Sequence, residues 1–221
     1  MTSKNGKDYY SLEELEVEFK NQVDPLNDLL KQLYPIEDEE FVIKIFFKGL
    51  SERLKRKFES KSLEVASGNY PFLLVIPPQI VSLKDQLKEF SLVVPKINHG
   101  GSGALINYPQ SIRPAFFYLI FDVNDGGDNR ETSPDQHYQK NSKKEPADRR
   151  YDFGFFEACS LLRKNGKLLD SHNIILAGAK YFSMYYYGIG KDKNGNKAIF
   201  QNIPSNANKF FGIPSFKTYL Q

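Results

Sequence analysis

The spacing of apolar residues changes along the chain, and this change constrains the fold more than any other feature of the sequence. Between residues 11 and 58, apolar side chains recur every three or four positions, which is the period of one helix face. From residue 70, continuous apolar runs such as Pro71–Ile76 and Ala115–Phe121 replace that period, as is typical of buried strands. The chain is therefore predicted to be α+β, with an N-terminal helical hairpin packed on a mixed, mainly antiparallel sheet.

The helical part is predicted to consist of two helices within residues 11–60, after a polar N-terminal tail of residues 1–10. Ser11 and Glu14 have the spacing of a capping box at the start of the first helix. Pro25 is expected to kink or restart that helix, and Tyr34-Pro35 to end it. The second helix follows the acidic residues 37–40, and much of its surface is basic, with Lys44, Lys48, Arg53, Lys55, Arg56 and Lys57.

Residues 70–221 are predicted to complete a single domain, 11–221. Ser82–Phe90 and Tyr151–Lys164 have helical patterns, and a long polar loop is expected over residues 124–150. The last third is predicted to be a β-meander of Asn173–Ala179, Phe182–Ile189 and Lys197–Ile203. The turn Asp192–Gly195 contains Asn-Gly, which favours a tight hairpin. The aromatic tail from Phe210 to Phe216 is expected to pack back on the sheet.

Composition excludes several classes of protein. The 30 Lys and Arg residues are nearly balanced by 27 Asp and Glu residues, which argues against a dedicated nucleic-acid binder. A single cysteine excludes a disulfide within the chain and any cysteine-rich metal site. The longest apolar runs are too short to span a bilayer. The first ten residues are polar and lack a signal-peptide core, so we expect a cytoplasmic protein.

The end of the strand at residue 123 is the strongest candidate for a ligand site. The candidate residues there are Asp122, Asn124, Asp128 and Arg130. Their oxygens are of the kind that Ca²⁺ or Mg²⁺ binds, but the spacing matches a calcium loop only in part, because Ser133 stands where a bidentate Glu is required. A solvated turn that leaves a strand is the favoured interpretation. We also hypothesise that an ion pair between Asp122 and Arg130 pins the loop.

No set of catalytic residues passes its own spacing test, so no catalytic residue and no cofactor is predicted. The sequence His99–Gly103 is similar to a glycine-rich oxyanion loop, but no G-x-S-x-G nucleophile motif accompanies it. Cys159 is expected to face inward on a helix, and a pair with His172 is improbable. His99, His137 and His172 lack the spacing of a zinc-binding helix.

Several segments of the chain follow one another in the order found in a known family. They are Phe19–Val23, Tyr34-Pro35, Tyr70–Pro77, Tyr118–Val123, Gly126 to Pro134, Phe155–Leu162, Ile174–Gly178 and Gly212–Pro214. In these segments the chain resembles an uncharacterised bacterial family known as domain of unknown function 5701. The resemblance spans most of the chain. It implies a single globular fold, and it carries no activity.

The aromatic residues suggest where a partner would bind. They concentrate after residue 115, and the interface candidates are Tyr185, Tyr186, Tyr187, Phe210, Phe211 and Phe216. The leading prediction is a non-enzymatic protein that binds another protein, or a further copy of itself, or serves as an assembly component. The alternative is a small-ligand or divalent-metal-binding protein or an enzyme that uses the Asp122–Arg130 loop. The third possibility is weak nucleic-acid binding through the basic helix 44–57, which we consider improbable.

Overall fold

The structure is a computed structural model, and it describes residues 2–33, 47–92, 106–107, 116–181 and 185–220. The described helices are α1 (Leu12–Leu33), α2 (Lys48–Phe58), α3 (Leu83–Glu89), α4 (Pro134–Ser142), α5 (Phe155–Lys164) and α6 (Leu168–Ser171), with a 3₁₀ turn at Pro146–Asp148. The strands are β1 (Thr2–Lys4), β2 (Lys7–Tyr10), β3 (Leu63–Ala66), β4 (Tyr70–Val75), β5 (Ile106–Asn107), β6 (Tyr118–Val123), β7 (Tyr151–Asp152), β8 (Asn173–Tyr181), β9 (Tyr185–Lys191), β10 (Lys197–Asn202), β11 (Phe211–Gly212), β12 (Ser215–Phe216) and β13 (Thr218–Leu220).

The predicted α+β class is confirmed, although the strands form several sheets. Antiparallel β1-β2-β3 is one sheet, and antiparallel β13-β6-β4 is a second. The third sheet has the order β10-β9-β8-β11, in which β11 is parallel to β8, and β5 also pairs with β8. Strands β7 and β12 form a short fourth pair.

The sheet β13-β6-β4 separates two hydrophobic cores. Side chains alternate across a strand, and Phe72 and Leu74 of β4 accordingly pack on one face while Leu73 and Val75 pack on the other. The first core joins that sheet to α1 and α2, and the second joins it to α5 and to the β8–β9 hairpin. Both faces of β4 and β6 are buried, which explains why their sequences are apolar apart from Asp122 in β6.

Helix α1 also covers the open edge of β4. The Gln22 amide donates to the carbonyl oxygen of Phe72 at 3.1 Å and accepts from the backbone N–H of Leu74 at 2.7 Å. One side chain thus replaces a neighbouring strand at that edge. The predicted capping box at the start of α1 is confirmed, since Ser11 N–H donates to Glu14 and Glu14 N–H donates to the Ser11 hydroxyl. Helix α1 continues through Pro25 as one helix.

Two regions differ from the prediction. Residues 2–10 form a β-hairpin rather than a tail, because Asn5 and Gly6 adopt the positive φ angles, 53° and 71°, that a two-residue hairpin turn requires. The predicted loop 124–150 contains α4, which begins at a capping box formed by Ser133 and Gln136. Helix α4 has no apolar stripe, so hydrophobic spacing could not reveal it.

The C-terminal meander β8-β9-β10 is confirmed, and the tail packs back through β11, β12 and β13. The turn at residues 192–196 uses positive φ at Gly195 alone, rather than at both residues of the Asn-Gly pair. The predictions that concern residues 34–46, His99–Gly103 and Phe182 lie outside the described residues.

Candidate functional site

Asp122 is the centre of a buried polar network formed by Asn69, Asp122, Asn124, Arg150 and Ser215. Its carboxylate accepts from Arg150 Nη1 at 2.9 Å, from the Asn69 side-chain amide, and from a backbone N–H of β3 at 3.2 Å. Arg150 also donates through Nε to the Ser215 hydroxyl at 3.0 Å. Asp122 has a φ of 53°, and the side-chain contacts of the network hold this left-handed conformation inside a strand.

The hypothesis of an Asp122–Arg130 ion pair is wrong, because the partner of Asp122 is Arg150. The Asp122 and Arg150 side chains are 11% and 17% exposed, whereas Arg130 lies at the surface. A buried carboxylate requires a partner, and a residue 28 positions away supplies it.

The other candidates of the loop are divided between the network and solvent. Asn124 donates to Asn69 at 3.1 Å and accepts from the backbone N–H of Gly126 at 2.7 Å. Asp128 is exposed. Within the described residues, no three His, Cys, Asp or Glu side chains are grouped closely enough to bind a metal ion. The oxygens of Asp122 and Asn124 are thus engaged by the protein itself.

Cys159 and His172 do not form a nucleophilic pair. Cys159 is fully buried in the core between α5 and the sheets, and burial raises the pKa of its thiol to about 12. A thiol of this kind is protonated at neutral pH and reacts slowly. The ring nitrogens of His172 contact the Ser171 hydroxyl at 2.8 Å and the Asp125 carbonyl oxygen at 3.1 Å. This histidine therefore helps to fix the position of the loop that follows β6.

His137, which sequence reasoning placed in a loop, fastens α4 to the sheet. Its Nε2 lies 2.9 Å from Asp152 Oδ1, and both side chains are mostly buried. Beside it, the Asn141 amide bonds to both the backbone carbonyl oxygen and the N–H of Arg150. The polar helix α4 is attached by these contacts, which also fix the position of Arg150.

Three of the six interface candidates are buried. Tyr187 and Phe216 belong to the core beneath the sheets, and Tyr186 is buried in a smaller cluster. Phe211 stacks on Phe200 with ring centroids 5.4 Å apart. Tyr185 is half-buried, and Phe210 is 57% exposed. The prediction of a docking surface fails for the three buried rings and stays open for Tyr185, Phe210 and Phe211.

The strongest candidate site is a groove between the N-terminal β-hairpin, α1 and the start of β4. Its volume is about 630 Å³. We call it the acidic groove, and its lining residues are Asp8, Tyr10, Glu13, Glu14, Val17, Glu18, Asn21, Gly68, Asn69, Tyr70, Pro71 and Lys164. Its position depends on β1 and β2, which the sequence prediction missed.

Carboxylates dominate the charge of the acidic groove, with four against the single ammonium of Lys164 among the described residues that line it. Lys164 Nζ lies 2.6 Å from Glu18 Oε1, so one carboxylate is already paired. Asp8 accepts from the hydroxyls of Ser3 and Ser67 and from the Gly68 N–H, and these bonds hold the pKa of its carboxyl below the usual value. Asp8 is therefore ionised at neutral pH.

The negative charge of the groove affects the pKa of Tyr10. Burial, together with the charges of Asp8 and Glu18, raises the pKa of the Tyr10 phenol. The pKa of the Tyr70 phenol is raised as well, mainly by burial. Beside these rings, Val17 is 57% exposed on α1. The acidic groove thus combines negative charge with exposed apolar and aromatic surface.

Comparisons with known proteins add no assignment to this geometry. No family model, no curated protein and no solved structure matches the chain. The resemblance to domain of unknown function 5701 stays a prediction. Among the described helices, none has the length and apolar character that crossing a membrane requires.

Proposed function

We propose that the protein acts without catalysis by binding a partner protein, and that the acidic groove receives a basic segment of that partner. The observation that carries the proposal is the unequal charge of the groove, because its described lining residues include four carboxylates and a single ammonium, that of Lys164. The whole chain has a net charge of +3, so this negative surface is a local feature. Complementary charge directs the choice of partner and speeds association.

The shape and lining of the groove support a peptide rather than a simple ion. Tyr10 and Tyr70 offer ring faces that a Lys or Arg side chain can cover through cation–π contact. Val17, which is 57% exposed, provides apolar surface for the residues between those cations. A segment that alternates basic and apolar residues satisfies both features. A cytoplasmic location belongs to the same proposal.

The basic helix supports the nucleic-acid alternative less well. Lys55 Nζ lies 2.7 Å from Glu16 Oε1, and Arg56 pairs with Glu52. These carboxylates reduce the positive charge that α2 presents. The proposal of a protein partner is favoured for that reason.

A fluorescence-polarisation titration tests the proposal. The probe is a labelled peptide of alternating Lys and Leu, and a matched peptide of alternating Glu and Leu is the control. We expect binding of the basic peptide alone, and weaker binding as salt is added, because the Debye length falls. Equal binding of both peptides, or of neither, would overturn the proposal.

Three variants assign the binding to the groove. Glu13→Gln should weaken binding of the basic peptide by a factor of about 1.4 to 5, since one exposed charge pair contributes roughly 0.2–1 kcal/mol. Lys164→Gln should have the opposite effect and strengthen binding of the basic peptide, because the substitution removes the positive charge of the groove. Glu59→Gln removes an exposed carboxylate next to α2 and is the matched control, with no effect expected.

A further inference from the structure

Strand β10 is the last described strand of its sheet and has β9 on one side. At the turn into β10, the Asp192 N–H donates to the Asn196 carbonyl oxygen at 2.8 Å, and from there bonded and non-bonded pairs alternate along the antiparallel ladder. The backbone N–H and C=O groups of Lys197, Ile199 and Gln201 therefore point away from β9. Within the described part of the chain, these groups form no hydrogen bond on that side, so the outer edge of β10 is open.

Apolar side chains lie on both faces of this edge strand. Ile199 packs against the second hydrophobic core and Phe200 against the small cluster that contains Tyr186, and both side chains stay partly exposed. Lys197, at the first position, is the one charged residue of β10. Natural proteins usually protect an edge strand with several charges, a proline or a bulge. Strand β10 has neither a proline nor a bulge, and an edge of this kind can accept a further strand.

We infer that the outer edge of β10 binds a second copy of the chain, and that the two β10 strands pair antiparallel about a two-fold axis at Ile199. Ile199 then lies opposite Ile199 of the second copy, and Lys197 lies opposite Gln201 of the second copy. These pairs use the backbone groups that point outward, and the sheet continues across the axis. The backbone bonds supply affinity, and the apolar side chains on both faces become more buried. The inference does not depend on the acidic groove.

The charges at the two ends of β10 favour a second copy as the partner. Lys193 in the turn and Lys197 make the first end basic, since they outnumber Asp192. At the other end, the Pro204 carbonyl oxygen accepts from the N–H of Asp135 at 3.1 Å, which places the exposed acidic start of α4 there. Antiparallel pairing brings the basic end of each copy to the acidic end of the other. Complementary charge of this kind fixes the register of a contact and excludes the parallel arrangement, in which like charges meet.

Sedimentation equilibrium of the full chain, combined with amide hydrogen exchange, tests the inference. We expect the average mass to rise with concentration from that of one chain to that of two and no further, because a two-fold pair uses both edges. Exchange at Ile199 and Gln201 should slow as the dimer forms. Exchange at Ala198 and Phe200, whose N–H groups bond to β9, should not change and is the internal control. A single-chain mass at every concentration, or a dimer in which Ile199 and Gln201 stay unprotected, would overturn the inference.

A pair of variants at the exposed Gln201 separates the backbone contact from the side chain. Gln201→Pro removes an outward N–H that the ladder with β9 does not use, so the sheet itself should tolerate the proline. Two bonds of the dimer are lost by symmetry, and the dissociation constant should rise about tenfold or more. Gln201→Ala keeps the N–H and should dimerise as the wild type does. Equal dimerisation of the two variants, with intact far-ultraviolet circular dichroism, would overturn the inference.

A charge exchange tests the two-fold arrangement without changing the backbone. Lys193→Glu should weaken the dimer, because the substituted turn then faces Asp135 of the second copy. Adding Asp135→Lys to Lys193→Glu should restore dimerisation, since opposite charges meet again. A double variant that dimerises no better than Lys193→Glu alone would show that the strands do not pair in this way.

Discussion

The buried polar network around Asp122 and the acidic groove contain the same kinds of residues, but the two regions differ in the balance between carboxylates and cations. In the network, the Asp122 carboxylate meets the Arg150 guanidinium and two further donors in a largely solvent-free place. Among the described residues that line the groove, Lys164 is the one cation and there are four carboxylates. Asn69 belongs to both regions, because it bonds to Asp122 and also lines the groove.

This difference separates structural from binding residues. A charge that the fold itself satisfies stabilises the native state and has little capacity left for a ligand. The described residues that line the groove carry more carboxylates than ammonium groups, and this excess of negative charge in a concave surface favours a partner of opposite charge. Of the residues that the sequence suggested as ligands, Asp122 and Asn124 fall in the first class, whereas Asp128 and Arg130 are exposed outside the network. The groove belongs to the second class.

Removal of Arg150 should give the largest effect. Arg150→Ala leaves the mostly buried Asp122 carboxylate unpaired, and breaking such a pair destabilises a protein by about 3–5 kcal/mol. Urea unfolding measures the free energy. Arg56→Ala is the control, because Arg56 is 77% exposed and its pair with Glu52 is expected to contribute at most about 0.5 kcal/mol. Similar losses for both variants would contradict the structural role of the network.

Two glycines with positive φ, one next to the network and one in the groove, differ in how closely other atoms pack around them. At Gly126, φ is 90° and an added Cβ would lie 2.7 Å from the backbone nitrogen of Ile213. Gly126→Ala should therefore destabilise by about 2–4 kcal/mol, from strain and overpacking together. Gly68 lines the groove with φ of 87° and nothing within 4 Å, so Gly68→Ala should lose only about 1 kcal/mol, from strain. Equal losses would show that the loop at Gly126 is not tightly packed.

A smaller, pH-dependent effect is expected at Asp8. Its pKa is lower in the folded protein than the ordinary value of 3.8, because Ser3 and Gly68 donate to the carboxylate. The ionised form thus stabilises the fold above that value, and the contribution is lost as the pH falls through the lowered pKa. Asp8→Asn should reduce the melting temperature at pH 7, and the difference from the wild type should shrink in acid.

The control for this pH effect is Glu13→Gln, which alters an exposed carboxyl of the same groove and should leave the melting temperature unchanged at both pH values. A difference for Asp8→Asn that stays constant from neutral to acidic pH would show that the carboxylate charge of Asp8 is not the stabilising feature.

Apolar patterns predicted the central elements of the fold because burial determines those elements. Strands β4 and β6 are buried on both faces, and α5 has a continuous apolar stripe, so the sequence alone indicated each of them. The missed elements depend on other physics. Asn5-Gly6 is a hairpin turn with polar strands on both sides, and α4 is held by polar contacts from His137 and Asn141.

The candidate site was harder to predict for a related reason. Spacing along the chain suggested Arg130 as the partner of Asp122, yet the fold brings Arg150 there through α4 and the chain that follows it. The acidic groove needs the hairpin β1–β2 beside α1, so no local pattern could reveal it. The one available signal was the combination of Asn5-Gly6 with Glu13, Glu14 and Glu18 on the next helix.

A map of backbone amide chemical shifts is the most direct test of the central claim that the acidic groove, and not the network, binds a basic partner segment. Isotope-labelled protein is titrated with the peptide of alternating Lys and Leu, and nuclear magnetic resonance spectra are recorded at each step. The account predicts saturable shifts at Tyr10, Val17 and Gly68, with no more than small shifts at Gly126 and along α2. Shifts confined to α2, or to the loop at Gly126, would contradict it.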